Sequence, residues 1–567
     1  MVQYSPNFEL PRRRWLAGAA ITALSATAHG QERLDTDTTG FPLDDAARAL
    51  LGWWTTPAGI VRGYVGGAGA QMHLRLAQPT RPSRRPVVLL HDAGQSGRVW
   101  DRAIALMGQT RAALAPDLPA HGDSDGDPLT PVEGHAAAVL RLIDRMSIGT
   151  FDLVGEGLGG ETAALIAALA PGRVGQAIVM AAPAGPTFST PRPDPTDREN
   201  TNFLASDWAA FRNTYAADAP FGVIDRDFAD LLRSTAAAPR NRGVASILAG
   251  ASLPDGVRMR PAGPRGEATI NADAWVKTIL ADLDSTPTGN VSGPVMWPDE
   301  APPRGAIVRR FMSTPGAQMH YRIAAGDGAG PPLLCFHMSP RSGAYYESLM
   351  AALAVAGRTV IAVDSAGYGE SFKPPAWLNV PGYAKHMADF TDALGADQVD
   401  VMGDHTGAKV AIETVRQRPK IVRRVVMNTA GVYSLEEQRG WQQRMESIPV
   451  RDDGGHYAAL WTRYHTLNRG KLDSEQNAFR FYETVRAGPC MWWGPRAANL
   501  YILGDVLPAI EHPILLICSD EDSLIAPTRR GAALLKNGRY VEFAKQGNSM
   551  VEYRAAAIAP TIAAHLA

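Results

Sequence analysis

One seven-residue segment occurs twice in this chain of 567 residues, with six of its seven positions identical. It reads Gly69-Ala-Gln-Met-His-Leu-Arg75 in the first half and Gly316-Ala-Gln-Met-His-Tyr-Arg322 in the second. Later landmarks keep nearly the same spacing: Asp117 with Asp364, Gly122 with Gly369, and Ser124 with Ser371. A single period this long indicates a duplicated domain rather than a solenoid of short repeats. The length agrees, because one hydrophobic core rarely serves so many residues.

Each copy repeats the same order of short apolar runs and helical runs. In the second copy, apolar runs end at His337 and at Asp364, and a third, 399–402, precedes a glycine turn. Apolar runs of four to eight residues that alternate with helical stretches are typical of parallel strands joined by crossover helices. The predicted fold class is therefore α/β, with two tandem, mostly parallel, doubly wound sheets.

The glycine turn of the second copy reads Gly403-Asp-His-Thr-Gly407, and a helix-like run follows it. A sharp strand-to-helix turn of this kind lifts one side chain above the sheet and needs small residues on both sides. The turn resembles the nucleophile elbow of the α/β-hydrolase superfamily, and the resemblance covers most of residues 67–190 and 314–567. It is specific for the fold and weak for the reaction, because this fold supports many chemistries.

The resemblance assigns roles in the second copy. His405 stands where a serine, cysteine or aspartate is expected. The backbone N–H groups of Met338, which follows His337, and of Thr406 correspond to the oxyanion donors. Asp522 fits the acid position after an apolar strand best, and Asp520 is a near alternative.

The histidine expected after the last strand is replaced by Gly547, Asn548 or Ser549. His405, a carboxylate and two N–H donors form a general-base site rather than a serine acyl-enzyme site. We therefore predict hydrolysis of a small, partly apolar molecule. Two alternatives stay open: a pseudohydrolase that only binds a ligand, with His405 a residual polar group, and a lyase or isomerase that uses His405 as its base.

The first copy has lost the reactive position. Its elbow reads Gly155-Glu-Gly-Leu-Gly159, so Gly157 stands at the nucleophile position. No acid-bearing strand is recognisable between Pro186 and Val308. We predict an inactive, structural first domain that keeps only a donor turn around Asp92.

A helix-rich segment, about 435–511, is predicted to cap the second copy. Its aromatic side chains either pack the cap or line an apolar substrate pocket. The predicted pocket residues are His337, Trp461, Met491, Trp492 and Trp493. Three further serines, Ser339, Ser371 and Ser549, have no base at a recognisable position.

The N-terminus resembles a twin-arginine export signal. Arg12 and Arg13 precede an apolar run, 17–26, that ends in the small-x-small pattern Ala26-Thr-Ala28. This run is too short to span a bilayer stably. We expect a signal peptide at 1–28 and a periplasmic protein. The remaining predicted boundaries are a linker at 29–66, domain 1 at 67–300 and domain 2 at 307–567, with a linker near 286–306.

Charge and cysteine content limit the partners. The formal net charge is −1, so no nucleic-acid partner is implied. The three cysteines show no disulfide framework and no metal-ligand spacing. We expect no metal or organic cofactor, a small-molecule substrate or ligand, and two domains that pack on each other.

Overall fold

The structure is a computed structural model. It describes residues 45–180, 208–215, 219–233, 254–261, 267–285, 293–298, 301–328, 330–445, 448, 450–467 and 472–567. The predicted signal peptide and its cleavage point lie outside the described residues. Part of the predicted linker 29–66 is regular structure, because it contains the helix Asp45–Trp54 and the strand β1, Ile60–Val65.

The chain divides into two compact units. The N-terminal unit contains Asp44–Phe311 and Ile448–Met491, and the C-terminal unit contains Met312–Ser447 and Trp492–Ala567. Each unit is described below by itself.

The N-terminal unit contains a seven-stranded sheet of order β1-β2-β4-β3-β5-β6-β7. β1 and β2 run antiparallel to their neighbours, and the remaining pairs are parallel. The strands after β1 are β2 Met72–Ala77, β3 Val87–Leu90, β4 Ala113–Pro116, β5 Phe151–Glu156, β6 Val174–Met180 and β7 Val257–Arg260. The α-helices of this unit are Asp45–Trp54, Asp101–Met107, Val132–Arg145, Leu158–Leu169, Phe221–Arg233, Glu267–Ile270, Ala272–Leu283, Gly455–Leu467 and Ser474–Ala487.

The second sheet has eight strands in the order β15-β14-β13-β12-β10-β11-β9-β8. The strands are β8 Ile307–Thr314, β9 Ala317–Ala324, β10 Leu333–Phe336, β11 Val360–Val363, β12 Val399–Asp404, β13 Val422–Asn428, β14 Ile514–Ser519 and β15 Gly538–Phe543. The α-helices of the C-terminal unit are Glu347–Val355, Val380–Leu394, Thr406–Gln417, Leu435–Met445, Trp493–Leu500, Leu503–Val506, Ile525–Ala532, Met550–Tyr553 and Ala555–Leu566.

The predicted fold class and the tandem duplication are confirmed. The order β2-β4-β3-β5-β6 of the first sheet matches β9-β11-β10-β12-β13 of the second. Every residue of the central strands β3 and β10 is buried. Parallel strands are covered by helices on both faces, so they are apolar throughout rather than alternating.

The repeated segment supplies a buried polar pair in each unit. The Nδ1 atom of His73 lies 3.0 Å from Asp117 Oδ2, and Nδ1 of His320 lies 2.8 Å from Asp364 Oδ2. All four side chains are almost fully buried. The repeat therefore conserves a structural contact that joins the second strand of each copy to the strand end where the aspartate stands.

Asp117 and Asp364 also hold the turns that follow them, as the sequence predicts. Asp364 accepts hydrogen bonds from the N–H of Gly343 at 2.7 Å and of Glu370 at 2.8 Å. Asp117 has the two corresponding contacts, both at 2.7 Å.

The predicted cap, 435–511, does not belong to one unit, because Ile448–Met491 lies in the N-terminal unit. The physical reason is a set of polar contacts inside that unit. The Tyr457 hydroxyl donates to Asp225 Oδ1 at 2.8 Å, and Arg486 donates to Asp123 at 2.6 Å. Only the two ends of the predicted cap remain with the second sheet.

Candidate functional site

The elbow of the C-terminal unit is a tight turn between β12 and the helix Thr406–Gln417. His405 has φ 48° and ψ −106°, a backbone conformation that residues other than glycine rarely adopt. A Cβ atom added to Gly403 would lie 2.1 Å from the carbonyl oxygen of Gly407, and one added to Gly407 would lie 1.9 Å from that of Phe336. Only glycine fits at both flanking positions, and the turn presents His405 at the end of the strand.

His405 faces a buried carboxylate. Its Nε2 lies 3.4 Å from Asp522 Oδ2, and the two side chains are 15% and 3% exposed. Asp522 also accepts hydrogen bonds from the Leu524 N–H at 2.8 Å and from the Thr429 hydroxyl at 3.2 Å. The alternative acid, Asp520, is exposed and accepts from the Lys545 N–H. The structure therefore brings Asp522, not Asp520, to His405.

The surroundings of Asp522 keep it ionised. Burial by itself would raise the pKa of this carboxyl group, but the His405 charge and the hydrogen bonds that Asp522 accepts outweigh it. The pKa of Asp522 is therefore lower than its ordinary value. An anion at this position stabilises a protonated His405.

Asp404 is a second carboxyl group beside the elbow, and it is fully buried. Its Oδ1 accepts a hydrogen bond from the Asn428 side-chain amide. Burial raises the pKa of Asp404 to about 6, against the opposing influence of the His405 charge. Asp404 and Asp522 thus have pKa values shifted in opposite directions, next to the same imidazole.

Two backbone N–H groups correspond to the predicted oxyanion donors. Within the described part of the chain, no acceptor is bound to the N–H of Met338 or of Thr406. The turn at Met338 is fixed by the buried His337 ring, whose Nε2 accepts from the Ser365 N–H at 2.9 Å. Nδ1 then carries the proton and donates to the Met338 carbonyl at 2.8 Å. His337 therefore has a structural role that the pocket prediction did not include.

The helix Trp493–Leu500 covers this region of the C-terminal unit. The Gly494 N–H donates to the Tyr368 hydroxyl at 2.6 Å, and a Cβ atom on Gly494 would lie 2.2 Å from Ser339 Oγ. Near the other end of the helix, Lys409 Nζ donates to the Ala498 carbonyl at 2.6 Å.

The other predicted pocket residues are divided between the units. Trp492 and Trp493 lie in the C-terminal unit, and Trp461 and Met491 in the N-terminal unit. Trp461 is fully buried, and its ring centroid lies 5.1 Å from that of Phe481. Trp461 thus packs against another aromatic ring of the segment Ile448–Met491, and packing within the cap is the alternative role that the sequence left open.

Of the three candidate serines, Ser371 is held by hydrogen bonds and Ser549 is buried. Ser371 Oγ donates to the Asp364 carbonyl at 2.6 Å and accepts from the His320 N–H at 2.9 Å. Ser549 is buried in the loop after β15. In that loop, Asn548 Oδ1 accepts from the Ser523 N–H at 3.2 Å.

In the N-terminal unit, the side chain of Asp92 occupies the elbow. Gly157 has φ 53°, and Asp92 Oδ1 accepts from the Leu158 N–H at 2.9 Å. The Asp92 N–H donates to Gln95 Oε1 at 3.1 Å. Both groups that correspond to oxyanion donors are therefore used internally, and the prediction that a donor turn survives around Asp92 is wrong.

The N-terminal unit does contain a strand at the acid position. β7 pairs with β6 in parallel, as β14 pairs with β13. Arg260, at its end, donates to Asp282 at 2.7 Å. The sequence did not reveal this strand because it is only four residues long and none of its residues is buried.

One group of side chains has the composition of a metal site: His73, Asp117 and Asp123, whose ligand atoms lie within 4.8 Å of one another. However, Asp123 is paired with Arg233 at 3.2 Å and with Arg486 at 2.6 Å. Asp117 already accepts two backbone N–H groups and faces His73. The carboxylate oxygens of Asp117 and Asp123 already make hydrogen bonds and ion pairs within the protein, so this group of side chains does not fit a cation.

Sequence reasoning missed Thr429 and Asn428, which bind the two carboxyl groups beside His405, and also Tyr368 and Lys409, which bind the helix Trp493–Leu500. A signal for the first two was present, because Asn428 and Thr429 stand at the end of β13, next to the elbow strand. Carboxyl ends of adjacent parallel strands meet at one edge of the sheet.

Among the described residues, no helix has both the length and the apolar character needed to cross a membrane.

Comparison with known families identifies both halves. Residues 87–326 match a profile described as the alpha/beta hydrolase family, and residues 331–553 match one described as the alpha/beta hydrolase fold.

Three curated relatives illustrate the similarity. An uncharacterized protein of Mycobacterium tuberculosis is 34% identical over 133 residues, which is 24% of this chain and 37% of that protein. Bifunctional epoxide hydrolase 2 of Sus scrofa is 29% identical over 178 residues, 31% of each chain. Haloalkane dehalogenase 2 of Mycobacterium tuberculosis is 27% identical over 145 residues, 25% of this chain and 49% of that enzyme. The chain spans less than half the length of each.

Solved structures give similar matches. An esterase from Thermogutta terrifontis is 18% identical with a TM-score of 0.39, covering 46% of this chain and 98% of that chain. The enol-lactonase from Burkholderia xenovorans is 19% identical with a TM-score of 0.38, covering 45% and 99%.

Proposed function

Because this chain belongs to the α/β-hydrolase superfamily and carries two of its domains in tandem, we propose that its C-terminal unit hydrolyses a small, partly apolar substrate with His405 as general base. The N-terminal unit serves as a structural domain. Related chains include proteins named as an epoxide hydrolase and a haloalkane dehalogenase, which supports a hydrolytic reaction.

In the proposed reaction, the neutral His405 imidazole takes a proton from a water molecule. The water oxygen attacks the carbonyl carbon of an ester-like substrate, and the oxyanion accepts hydrogen bonds from the Met338 and Thr406 N–H groups. When the tetrahedral intermediate collapses, the bond to the leaving group breaks and the imidazolium returns the proton to that group. Asp522, held ionised, stabilises the imidazolium in between.

The observation that carries the proposal is the contrast between the two elbows. In the N-terminal unit, the Asp92 carboxylate binds the elbow N–H and fills the space next to Gly157. At the corresponding places the C-terminal unit has Met338 and the partly exposed His405. In the N-terminal unit the Asp92 side chain therefore occupies the elbow, whereas in the C-terminal unit His405 lies beside Asp522, and the N–H groups of Met338 and Thr406 bind no acceptor among the described residues.

Oxygen-isotope labelling tests this function. The full chain is incubated in water enriched in ¹⁸O with a panel of small esters and lactones. The expected result is hydrolysis in which the acid product contains ¹⁸O from the first catalytic cycle onward. The His405→Ala variant should lose this hydrolysis. Cleavage or rearrangement without ¹⁸O in the product would instead indicate the lyase or isomerase alternative. Ligand binding without any turnover would indicate the pseudohydrolase.

The proposal extends to location. We propose that residues 1–28 direct the folded protein to the periplasm. The support is the sequence alone, namely the arginine pair Arg12-Arg13, the apolar run and the small-residue site at Ala28.

A further inference from the structure

The helix that follows the elbow carries a buried lysine. Lys409 lies one helical turn after His405 and is 1% exposed. Its Nζ donates to the Ala498 carbonyl at 2.6 Å and lies 4.2 Å from the centroid of the Tyr433 ring. No carboxylate of the described residues forms an ion pair with it.

The nearest acid along this helix is committed to other groups. Glu413, one further turn away, accepts from the Tyr501 hydroxyl at 2.8 Å and from Arg416 at 2.7 Å. Lysine is rarely buried without a counter-ion, because removing an ammonium group from water is costly. Accordingly, burial lowers the pKa of Lys409 to about 7.

The fold does not require a lysine at this place. The corresponding residue of the N-terminal elbow helix, four positions after Gly157, is Glu161, which has the opposite charge. A repeated domain that accepts either sign at one buried position does not need the ammonium group for folding. A role specific to the C-terminal unit explains the lysine better.

The position of Lys409 connects it to the candidate site. Its hydrogen-bond partner Ala498 belongs to the helix Trp493–Leu500, which contacts Ser339 beside the oxyanion turn. Burial raises the pKa of Tyr433, and the charge of Asp522 raises it further, so Tyr433 lies within electrostatic range of Asp522. Lys409 therefore stands beneath the covering helix, on the same unit as His405.

We propose that Lys409 is the anion-binding group of this site, and that the substrate carries a carboxylate in addition to the bond that is cleaved. A bound carboxylate would supply the counter-ion that the protein does not provide. The ring of Tyr433, which already contacts Nζ, would pack against the apolar part of the same molecule. This inference rests on the proposed function, because it specifies the charge of the substrate for the same site.

The test measures binding rather than turnover. Benzoate and its neutral counterpart benzamide are titrated by calorimetry into the full chain with the change His405→Ala. The expected result is at least about tenfold tighter binding of benzoate, since a hydrogen bond to a charged group contributes this much or more. Equal affinities, including no binding of either compound, overturn the proposal. They leave the proposed general-base function untouched, because that is judged by turnover with His405 intact.

A variant then locates the effect. In the same background, Lys409→Met should weaken benzoate binding by about ten- to a hundredfold and change benzamide binding by less than about twofold. The matched control is Lys385→Met, since Lys385 is exposed and paired with Asp389, and it should change neither affinity. Unchanged benzoate binding in folded Lys409→Met overturns the assignment. If that variant does not fold, the comparison of benzoate with benzamide decides alone.

Discussion

Asp92 Oδ1 accepts a hydrogen bond from the Leu158 N–H at 2.9 Å, so the N-terminal elbow binds a carboxylate of its own chain. In a working elbow this N–H serves the substrate oxyanion. The contact satisfies the donor at the start of the helix Leu158–Leu169 and places a negative charge near that terminus, which favours both the helix and the closed turn. In this elbow, a glycine at the position of the lifted residue and an occupied N–H donor therefore occur together.

This contact predicts that a side chain at Gly157 destabilises the protein while Asp92 is present. A Cβ atom at Gly157 would lie 1.9 Å from Asp92 Oδ1, and φ there is 53°. We expect Gly157→Ala to destabilise the protein by about 2 kcal/mol or more. In calorimetric scans of the full chain, this corresponds to a melting transition lowered by about 5 °C.

Two comparisons sharpen this prediction. Gly172→Ala is the control, because no atom lies within 4 Å of a Cβ built there, and it should leave melting nearly unchanged. In an Asp92→Ala background the cost of Gly157→Ala should shrink, since the clashing carboxylate is gone. The same cost in both backgrounds would show that Asp92 does not occupy the site.

The sequence predicts the sheets better than the site. The duplicated GAQMH segment and the alternating runs were sufficient for two α/β sheets, because strand and helix periodicities are local properties. The separation of Trp461 from the second sheet was not predictable in the same way. It depends on contacts such as Tyr457–Asp225, which join residues 232 positions apart in the chain.

Within the site, the elbow was readable because the chain must reverse in a few residues, which imposes glycine at fixed positions such as Gly403 and Gly407. The roles of Thr429 and Lys409 were not readable. A threonine that donates to Asp522, or a lysine without a counter-ion, is recognised only when the neighbouring side chains are known. Short-range patterns carry no information about such partners.

Asp404 makes stability depend on pH in an unusual direction. Its pKa, raised to about 6, exceeds the ordinary unfolded value of about 3.9. The folded protein therefore binds a proton more tightly than the unfolded chain. The stabilisation from that proton is present below about pH 4 and is lost as the pH rises through 6.

Replacing this carboxyl group by an amide should consequently stabilise the protein at neutral pH. Asp404→Asn keeps an oxygen that can accept from Asn428, and it removes the buried charge. The expected gain at pH 8 is about 2 kcal/mol, falling toward zero near pH 4. Thermal melting at the two pH values measures it, and a gain that does not change with pH would contradict the shifted pKa.

Serine-directed phosphonates should not label the protein at either elbow. Gly157 has no side chain, and His405 is a poor target for these reagents. Ser371 is held by Asp364 and His320. Mass spectrometry of the treated full chain checks this. Modification mapped to Ser339, Ser371 or Ser549 together with a matching loss of activity would replace the proposed mechanism by a serine mechanism.

The export proposal predicts a mature protein that begins close to Gln31, shortly after Ala28. Exported protein is recovered from the periplasm, and its N-terminus is sequenced. Changing both Arg12 and Arg13 to lysine should retain the chain in the cytoplasm. If the protein with the original arginines is found unprocessed in the cytoplasm, residues 1–28 are not an export signal.

His405 should control the pH dependence of hydrolysis. A general base acts only in its unprotonated form, so the rate should rise with pH on the acidic side as His405 loses its proton, in a range where the neighbouring Asp404, with a pKa of about 6, also ionises. Asp522 is not the source of this limb, because its pKa is lowered and it remains ionised throughout.

In Asp522→Asn the imidazolium loses its neighbouring anion, which makes the proton easier to remove. The acidic limb should therefore shift to lower pH, while the maximal rate falls by at least about tenfold because the developing imidazolium is less stabilised. His405→Ala should reduce the rate by roughly a hundredfold or more and abolish the limb. Steady-state rates from pH 5 to 9 on the same ester measure all three proteins, with circular dichroism to verify folding. A folded His405→Ala protein that retains both rate and limb would place the base elsewhere in the chain.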